Sequence, residues 1–115
     1  MRHGVEFRLT VRTGTRAGRP SVVGHLLVRA DGPDEAEPAR VGFVVSRAVG
    51  PAVTRNKVKR RLRELMRGYL HSLPGGSLLV VRANAAAAHA SHPDLAADLE
   101  SVISRLLRRQ VGARR

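Results

Sequence analysis

The sequence of 115 residues contains no cysteine, which excludes disulfides, thiolate metal sites and cysteine nucleophiles. No uncharged apolar run is long enough to cross a bilayer, and the N-terminal segment MRHGVEFRLT lacks the apolar core of a secretion signal. A Walker loop, a dinucleotide fingerprint and a nucleophile elbow are also missing. From these absences we expect a soluble cytoplasmic protein with no membrane partner.

Acidic residues are scarce, at 9 against 21 lysines and arginines, so the formal net charge is +12. This excess is larger than solubility requires and indicates a polyanionic partner. Nine basic residues and a single acidic one, Glu64, lie between Arg40 and Tyr69. Arginine supplies most of the charge, and its planar guanidinium can hold two phosphate oxygens or a base edge. The charge pattern therefore favours a nucleic acid over an acidic protein or a membrane surface.

The N-terminal half has the pattern of a short helix followed by strands. Residues 5–12 carry apolar side chains at helical spacing, and Gly14 would end that helix. Residues 21–29 and 40–46 are β-branched and apolar enough for strands. A further strand can lie at residues 13–19, where glycine and arginine hide any periodicity. Between the later two strands, the Gly, Pro and Asp content of residues 31–38 predicts an acidic, solvated loop.

The clearest helix covers residues 54–70, because its apolar side chains recur on one stripe. The members of that stripe are Val58, Leu62, Leu65, Met66 and Tyr69. A proline and two glycines then break the chain before SLLVVR, an apolar run typical of a strand covered on both faces. We expect that strand to lie parallel to residues 40–46.

The C-terminal part begins with an alanine-rich stretch, residues 83–90, that can be loop or helix. A second long helix starts at Pro93, with Ser91 or His92 as its cap. Its core-facing side chains are Leu95, Leu99, Val102 and Leu106. We expect the basic residues 109–115 to form a flexible tail. The chain as a whole, residues 1–115, therefore predicts a single α+β domain in which a sheet packs against helices.

The apolar stripe of the first long helix turns its basic side chains away from the core. The outward residues are Asn56, Arg60, Arg63 and Arg67, with Arg55 and Lys59 beside the stripe. Seven basic residues within thirteen positions repel one another by roughly a few tenths of a kcal/mol per i, i+4 pair. A charge run usually forms a solvated face, but a cost of this kind is typical of a helix that binds a polyanion. A helix-turn-helix reader of DNA is disfavoured, because a strand-like segment precedes this helix.

The segment from Gly42 to Glu64 has a more specific pattern. It reads GFVVSR, then VG, AV, RNK, KR and RE at fixed spacings. This pattern resembles the signature of the bacterial ribonuclease P protein family, in which G-x-x-V-S-K leads through V/I-G-N-A-V into R-N-R-x-K-R-x-x-R-E. Elsewhere, Glu6 and Phe7 resemble the D-F pair near the first helix of the family. Lys57 occupies the position of the second arginine of R-N-R. It keeps the positive charge but lacks the planar guanidinium that can hold two oxygens.

The resemblance implies an α-β-β-β-α-β-α sandwich, ribosomal protein S5 domain 2-like, whose last strand is reached by a left-handed βαβ crossover. It also implies a non-catalytic protein subunit of the endoribonuclease ribonuclease P, whose catalytic RNA removes the 5′ leader of precursor tRNA. Mg²⁺ would serve the RNA-catalysed reaction, and the protein would bind no cofactor of its own. The expected partners are the catalytic RNA and precursor tRNA, with no obligate protein partner.

The resemblance also assigns site residues. Contacts to the RNA subunit would come from Arg55, Asn56, Lys57, Lys59, Arg60, Arg63 and Arg67. A cleft for the leader would involve Phe7, His25 and Arg47. No catalytic residue and no metal ligand is assigned. The alternatives are a structural RNA-binding protein, such as a small ribosomal component, and a protein-only nuclease, which would need clustered carboxylates to hold Mg²⁺.

Overall fold

A computed structural model describes residues 14–28 and 38–113 of the chain. Its strands are β1 (Thr15–Gly18), β2 (Val22–Leu27), β3 (Arg40–Val45) and β4 (Leu78–Ala83), and its long helices are α1 (Ala52–Met66) and α2 (His92–Ala113). All four predicted strands are confirmed. The helix predicted at residues 5–12 lies outside the described residues, as does nearly all of the predicted acidic loop.

The four strands form one mixed sheet in the order β1-β2-β4-β3. β1 pairs antiparallel with β2, and β2 pairs antiparallel with β4. β3 and β4 are parallel, as predicted, and α1 lies in the connection between them, as a parallel pair requires. The α+β class is therefore confirmed, whereas the left-handed crossover stays a prediction.

Both long helices pack on one face of the sheet, where the core lies. The stripe predicted on α1 is confirmed, because Val58, Leu62 and Met66 are buried. α2 contributes the side chains that were predicted to face the core, namely Leu95, Leu99, Val102 and Leu106. The sheet supplies Leu26, Leu79 and Val81 to the same cluster. In β4, four successive residues from Leu78 are buried, as expected for a strand covered on both faces.

One glycine sets the distance between α2 and the sheet. A Cβ atom added to Gly24 on β2 would lie 2.6 Å from Val102 Cγ1 and 3.0 Å from Leu106 Cδ1. Both distances are shorter than a normal van der Waals contact, so only glycine allows α2 to approach β2 this closely. Since Gly24 faces α2, its neighbours Val23 and His25 point to the opposite face of the sheet.

The ends of the helices differ from the sequence-based expectations. α1 ends at Met66 instead of Leu70, because Gly68 weakens helix propagation and the chain enters a 3₁₀ turn at Leu70–Ser72. The alanine-rich stretch, left open between loop and helix, contains a short 3₁₀ helix at Ala85–Ala88.

α2 begins and ends with identifiable contacts. The backbone N–H of Asp94 donates to Ser91 Oγ over 3.2 Å, which confirms Ser91 as a capping side chain. At the other end, α2 continues to Ala113, beyond Arg109, where we expected the flexible tail to begin. Side-chain hydrogen bonds from Arg105 to the Gly18 carbonyl, 2.9 Å, and from Arg109 to the Arg16 carbonyl hold this part of the helix against β1.

Candidate nucleic-acid interface

The outer side of α1 carries the residues predicted to bind the RNA subunit. Five of them are exposed and two are half-buried beside the apolar stripe, so the predicted outward orientation is confirmed. We call this set the α1 ridge, and its members are Arg55, Asn56, Lys57, Lys59, Arg60, Arg63 and Arg67. The ridge is positioned by the burial of Val58, Leu62 and Met66 on the opposite side of the same helix.

The charges of the α1 ridge are not neutralised within the described part of the chain. There, the one ion pair joins Arg19 to Asp98, which belong to other elements. The first turn of α1 contains no acidic residue, although the positive end of a helix dipole favours one. Arg55 Nε is buried and has no hydrogen-bond partner among the described residues. Within the described residues, the positive charges of the ridge are therefore not compensated by an ion pair.

The turn that leads from β3 into α1 displays Arg47. A 3₁₀ turn at Arg47–Val49 anchors the segment through the buried side chain of Val49. Gly50 has a φ of 145°, which side-chain-bearing residues rarely adopt, and Pro51 then caps α1. This geometry leaves Arg47 exposed at the carboxyl end of β3, immediately before the positive end of α1.

The sheet face opposite the two helices carries a second group of basic side chains. Arg16 on β1 pairs directly with His25 on β2, and His25 pairs with Val80 on β4. Arg82, two residues beyond Val80, has its side chain on the same face. We call Arg16, His25 and Arg82 together the second sheet face. Arg16 and Arg82 are exposed, whereas His25 is 2% exposed.

His25 lies in an unusual environment. Both ring nitrogens are buried, and neither has a hydrogen-bond partner among the described residues. Burial, together with the positive charges of Arg82 and Arg16, holds the pKa of His25 below its ordinary value. The imidazole is therefore neutral near pH 7.

Sequence reasoning did not single out Arg16 and Arg82, the exposed charges of the second sheet face. Arg82 had a usable signal, since it is the only charged residue in the SLLVVR run and alternates with Val80. Arg16 had none, because its strand contains glycine and arginine and shows no periodicity. Of the residues predicted for the leader cleft, His25 is in central strand β2, Arg47 follows edge strand β3, and Phe7 lies outside the described residues.

Asp98 on α2 forms a polar cluster with the chain between β1 and β2. Its carboxylate accepts hydrogen bonds from Ser21 Oγ (2.6 Å) and the Ser21 backbone N–H (3.1 Å), and it pairs with Arg19 at 3.4 Å. Burial alone would raise the pKa of Asp98, but the bonds from Ser21 and Arg19 lower it below its ordinary value. The cluster is structural, because every oxygen contact in it fixes α2 to the sheet.

Within residues 14–28 and 38–113, no three His, Asp or Glu side chains lie close enough together to hold a metal ion. Nor does this part of the chain contain a helix with the length and apolar character needed to cross a membrane. His89 and His92, whose spacing resembles a metal motif, are both exposed.

Comparison with known proteins gives one consistent result. The sequence model of the family Ribonuclease P matches residues 1–107. A ribonuclease P protein component from a Nocardioides species is 57% identical over 106 residues, covering 92% of this chain and 89% of that protein. A second ribonuclease P protein component, from Streptomyces avermitilis, is 53% identical over 111 residues, covering 93% of this chain and 90% of the relative.

Solved structures agree at the level of the fold. The RNase P protein from Staphylococcus aureus superimposes with a TM-score of 0.77 at 22% identity, over 93% of this chain and 95% of the other. The RNase P protein from Thermotoga maritima gives a TM-score of 0.71 at 24% identity, over 94% of each chain.

Proposed function

The chain belongs to the ribonuclease P protein family, and from this premise we propose that it binds the catalytic RNA subunit of ribonuclease P and the 5′ leader of precursor tRNA. In this assembly the RNA subunit cleaves the leader with the help of Mg²⁺, and the protein positions both RNAs. The observation that carries the proposal is the α1 ridge, a row of basic side chains that lies within the family signature and has no ion-pair partner in the described part of the chain.

The α1 ridge fits the RNA subunit because its side chains project on successive helical turns from a rigid support. Phosphates repeat along RNA at a spacing that such side chains can reach, and each neutralised phosphate releases counterions. Arg60 and Arg63 are exposed on this ridge and are the best-placed phosphate ligands. Lys57 contributes charge without the bidentate geometry of arginine.

The second sheet face, together with Phe7 and Arg47, fits a single-stranded leader. Arg16 and Arg82 supply charge for the backbone, and the neutral ring of His25 lies between them in the sheet register. Phe7 is the main candidate for stacking on a leader base. Backbone contacts contribute more than stacking on this chain, which has two phenylalanines, one tyrosine and no tryptophan.

The proposal assigns no bond-breaking role to the protein. A protein-borne Mg²⁺ site would need clustered carboxylates, and the α1 ridge is accompanied by a single acidic residue, Glu64. A structural RNA-binding protein, such as a small ribosomal component, is the alternative, and it would explain the charge without any effect on cleavage.

The direct test is cleavage of precursor tRNA by the protein alone, by its cognate RNA subunit alone and by both together. We expect no cleavage by the protein alone and faster or tighter processing by the assembled particle than by the RNA. Cleavage at the mature 5′ end by RNA-free protein, abolished by mutation of its carboxylates, would contradict the proposal. A protein that leaves the RNA reaction unchanged at all Mg²⁺ concentrations would favour the structural alternative.

The division between the two surfaces is tested with Phe7→Ala in the assembled enzyme. We expect weaker binding of precursor tRNA and unchanged binding of mature tRNA, because only the precursor has a leader. Equal weakening of both tRNAs would show that Phe7 does not contact the leader. Arg60→Ala is the matched variant, since it should instead lower affinity for the RNA subunit and reduce the salt slope by about one ion.

A further inference from the structure

A further basic surface, besides the α1 ridge and the second sheet face, lies at the opposite edge of the sheet from α1. β1 is the edge strand there, and α2 runs antiparallel along it. Three contacts fix this arrangement: Asp98 binds Ser21, Arg105 binds the Gly18 carbonyl, and Arg109 binds the Arg16 carbonyl. Arg105 and Arg109 are one helical turn apart, and the two carbonyls point to the same edge of the strand.

Five arginines surround this edge. We call them the β1-edge surface, and its members are Arg16, Arg19, Arg105, Arg108 and Arg109. Among the described residues, Arg19 is the only member with a carboxylate partner, and its side chain is still 48% exposed. The surface therefore combines a high density of positive charge with little internal compensation, as the α1 ridge does.

Protection of the strand edge accounts for only part of this arrangement. Charged side chains that cover edge carbonyls protect a sheet from unwanted pairing, and Arg105 and Arg109 do this. Each of those bonds uses one of the five donors of a guanidinium. Arg108, which is exposed on α2 next to Arg109, forms no ion pair with a described residue. A purely structural edge would not need it.

The bonds to the edge carbonyls also hold two guanidinium groups in place without neutralising them. A side chain that is ordered before binding loses less conformational entropy when a ligand arrives. Arginine donors with a fixed direction suit the paired oxygens of a phosphate. The edge of β1 is thus preorganised for a phosphodiester backbone.

We propose that the β1-edge surface is a further RNA-binding surface, which extends the second sheet face through their shared residue Arg16 and holds the backbone of precursor tRNA. The inference rests on the proposed function, since it takes the chain to be an RNA-binding subunit. Two strands separate β1 from β3, and α1 packs near β3. The α1 ridge and the β1-edge surface therefore lie at opposite edges of the sheet, and the protein bridges two RNA segments. The segment at the β1 edge belongs to precursor tRNA, because this surface is continuous with the second sheet face through Arg16.

The test uses Arg108→Gln in the full-length protein, since Arg108 is exposed and the hydrogen bonds from α2 to β1 come from Arg105 and Arg109. Affinity is measured across a salt series, first for the RNA subunit and then for precursor tRNA bound by the assembled enzyme. We expect the affinity of the assembled enzyme for precursor tRNA to fall about fivefold at 0.15 M salt, with a salt slope smaller by about one, as for one lost phosphate contact, and the affinity for the RNA subunit to stay unchanged. A fall confined to the affinity for the RNA subunit would overturn the proposal. The melting temperature should not change.

Two control variants separate a local contact from a loss of net charge. Arg108→Lys keeps the charge and loses the planar fork, so it should recover part of the affinity. Arg108→Gln combined with Glu100→Gln restores the net charge at another side of α2, and it should not recover the affinity. Full recovery in this double variant would overturn the proposal, because charge alone would then suffice.

Other outcomes are equally decisive. If Arg108→Gln changes neither RNA affinity while Arg60→Ala lowers affinity for the RNA subunit, the β1-edge surface is not an RNA site and the proposed function stands. If Arg60→Ala also has no effect, the proposed function itself is contradicted. If Arg108→Gln instead weakens binding only to vesicles containing phosphatidylglycerol, the surface serves a membrane and the proposal fails.

Discussion

The two long helices pack on the same face of the sheet but use their polar sides differently. In α2, Asp98, Arg105 and Arg109 make hydrogen bonds that fix the helix to β1 and to the turn after it. In α1, the exposed side chains of the ridge form no ion pair with any described residue. Polar side chains of α2 thus contribute to folding, whereas those of the α1 ridge form no comparable ion pair within the described residues. Substitutions in the two helices should separate these contributions.

The largest expected effect on the free energy of unfolding is the same for both helices. Leu62→Ala in α1 and Leu99→Ala in α2 should each lower the free energy of unfolding by about 2–5 kcal/mol, because both leucines are fully buried. Urea denaturation measures both. A much smaller loss for Leu62→Ala would mean that α1 is held on the sheet less firmly than α2.

A smaller effect should distinguish the helices. Asp98→Asn should lower the free energy of unfolding by about 1–3 kcal/mol, because it removes a charged acceptor from Ser21 and Arg19. Since folding lowers the pKa of Asp98, this stability is present above the unfolded pKa and is lost as the pH falls through the folded value. The variant should therefore lose less stability than the parent in an acid titration. Parallel acid profiles for the two proteins would contradict a stabilising role for the ionised carboxylate.

His25 should contribute a pH dependence in the same direction at higher pH. Its pKa is lowered in the folded state, so the unfolded chain binds the extra proton as the pH falls below the ordinary histidine value of about 6.5. Stability is then complete above that pH and decreases below it. His25→Phe should remove this part of the profile, which thermal melts between about pH 7.5 and 5.5 would detect. An unchanged profile would show that the ring titrates normally.

The smallest effect on stability is expected for the α1 ridge. Arg60→Ala should change the free energy of unfolding by less than about 0.5 kcal/mol, because an exposed side chain without a partner contributes little. Urea denaturation of this variant beside Asp98→Asn compares the two helices directly. If Arg60→Ala lowers the free energy of unfolding as much as Leu62→Ala does, the ridge does not face outward.

Much of the fold follows from periodicity, and the exceptions have physical causes. The stripe through Val58 and Leu62 predicts both α1 and its buried side, because apolar residues at this spacing fall on a single side of an α-helix. The end of α1 at Met66 depends on the low helix propensity of one residue, Gly68. The apolar pattern, which continues to Tyr69, predicts a longer helix. The order of α2 at Arg105 and Arg109 is supported by hydrogen bonds to β1, which join distant parts of the sequence and which no local pattern reveals.

The candidate sites divide in the same way. The outward direction of the α1 ridge follows from the helix and needs no tertiary information. The meeting of Arg16, His25 and Arg82 on one sheet face depends on strand order and register, which join residues from three separate segments. Their assignment to the leader, like that of the ridge to the RNA subunit, stays a prediction.

The position of β4 has a consequence for how the protein is made. It is the last strand in sequence, yet it lies between β2 and β3 and pairs with both. While a ribosome synthesises the chain from its N-terminus, β2 and β3 have no common neighbour until residue 83 has emerged. During that interval the segment of α1, with seven basic residues within thirteen positions, has no completed sheet on which to pack. The orientation of the α1 ridge is therefore fixed late in synthesis, after β4 has paired with both of its neighbours.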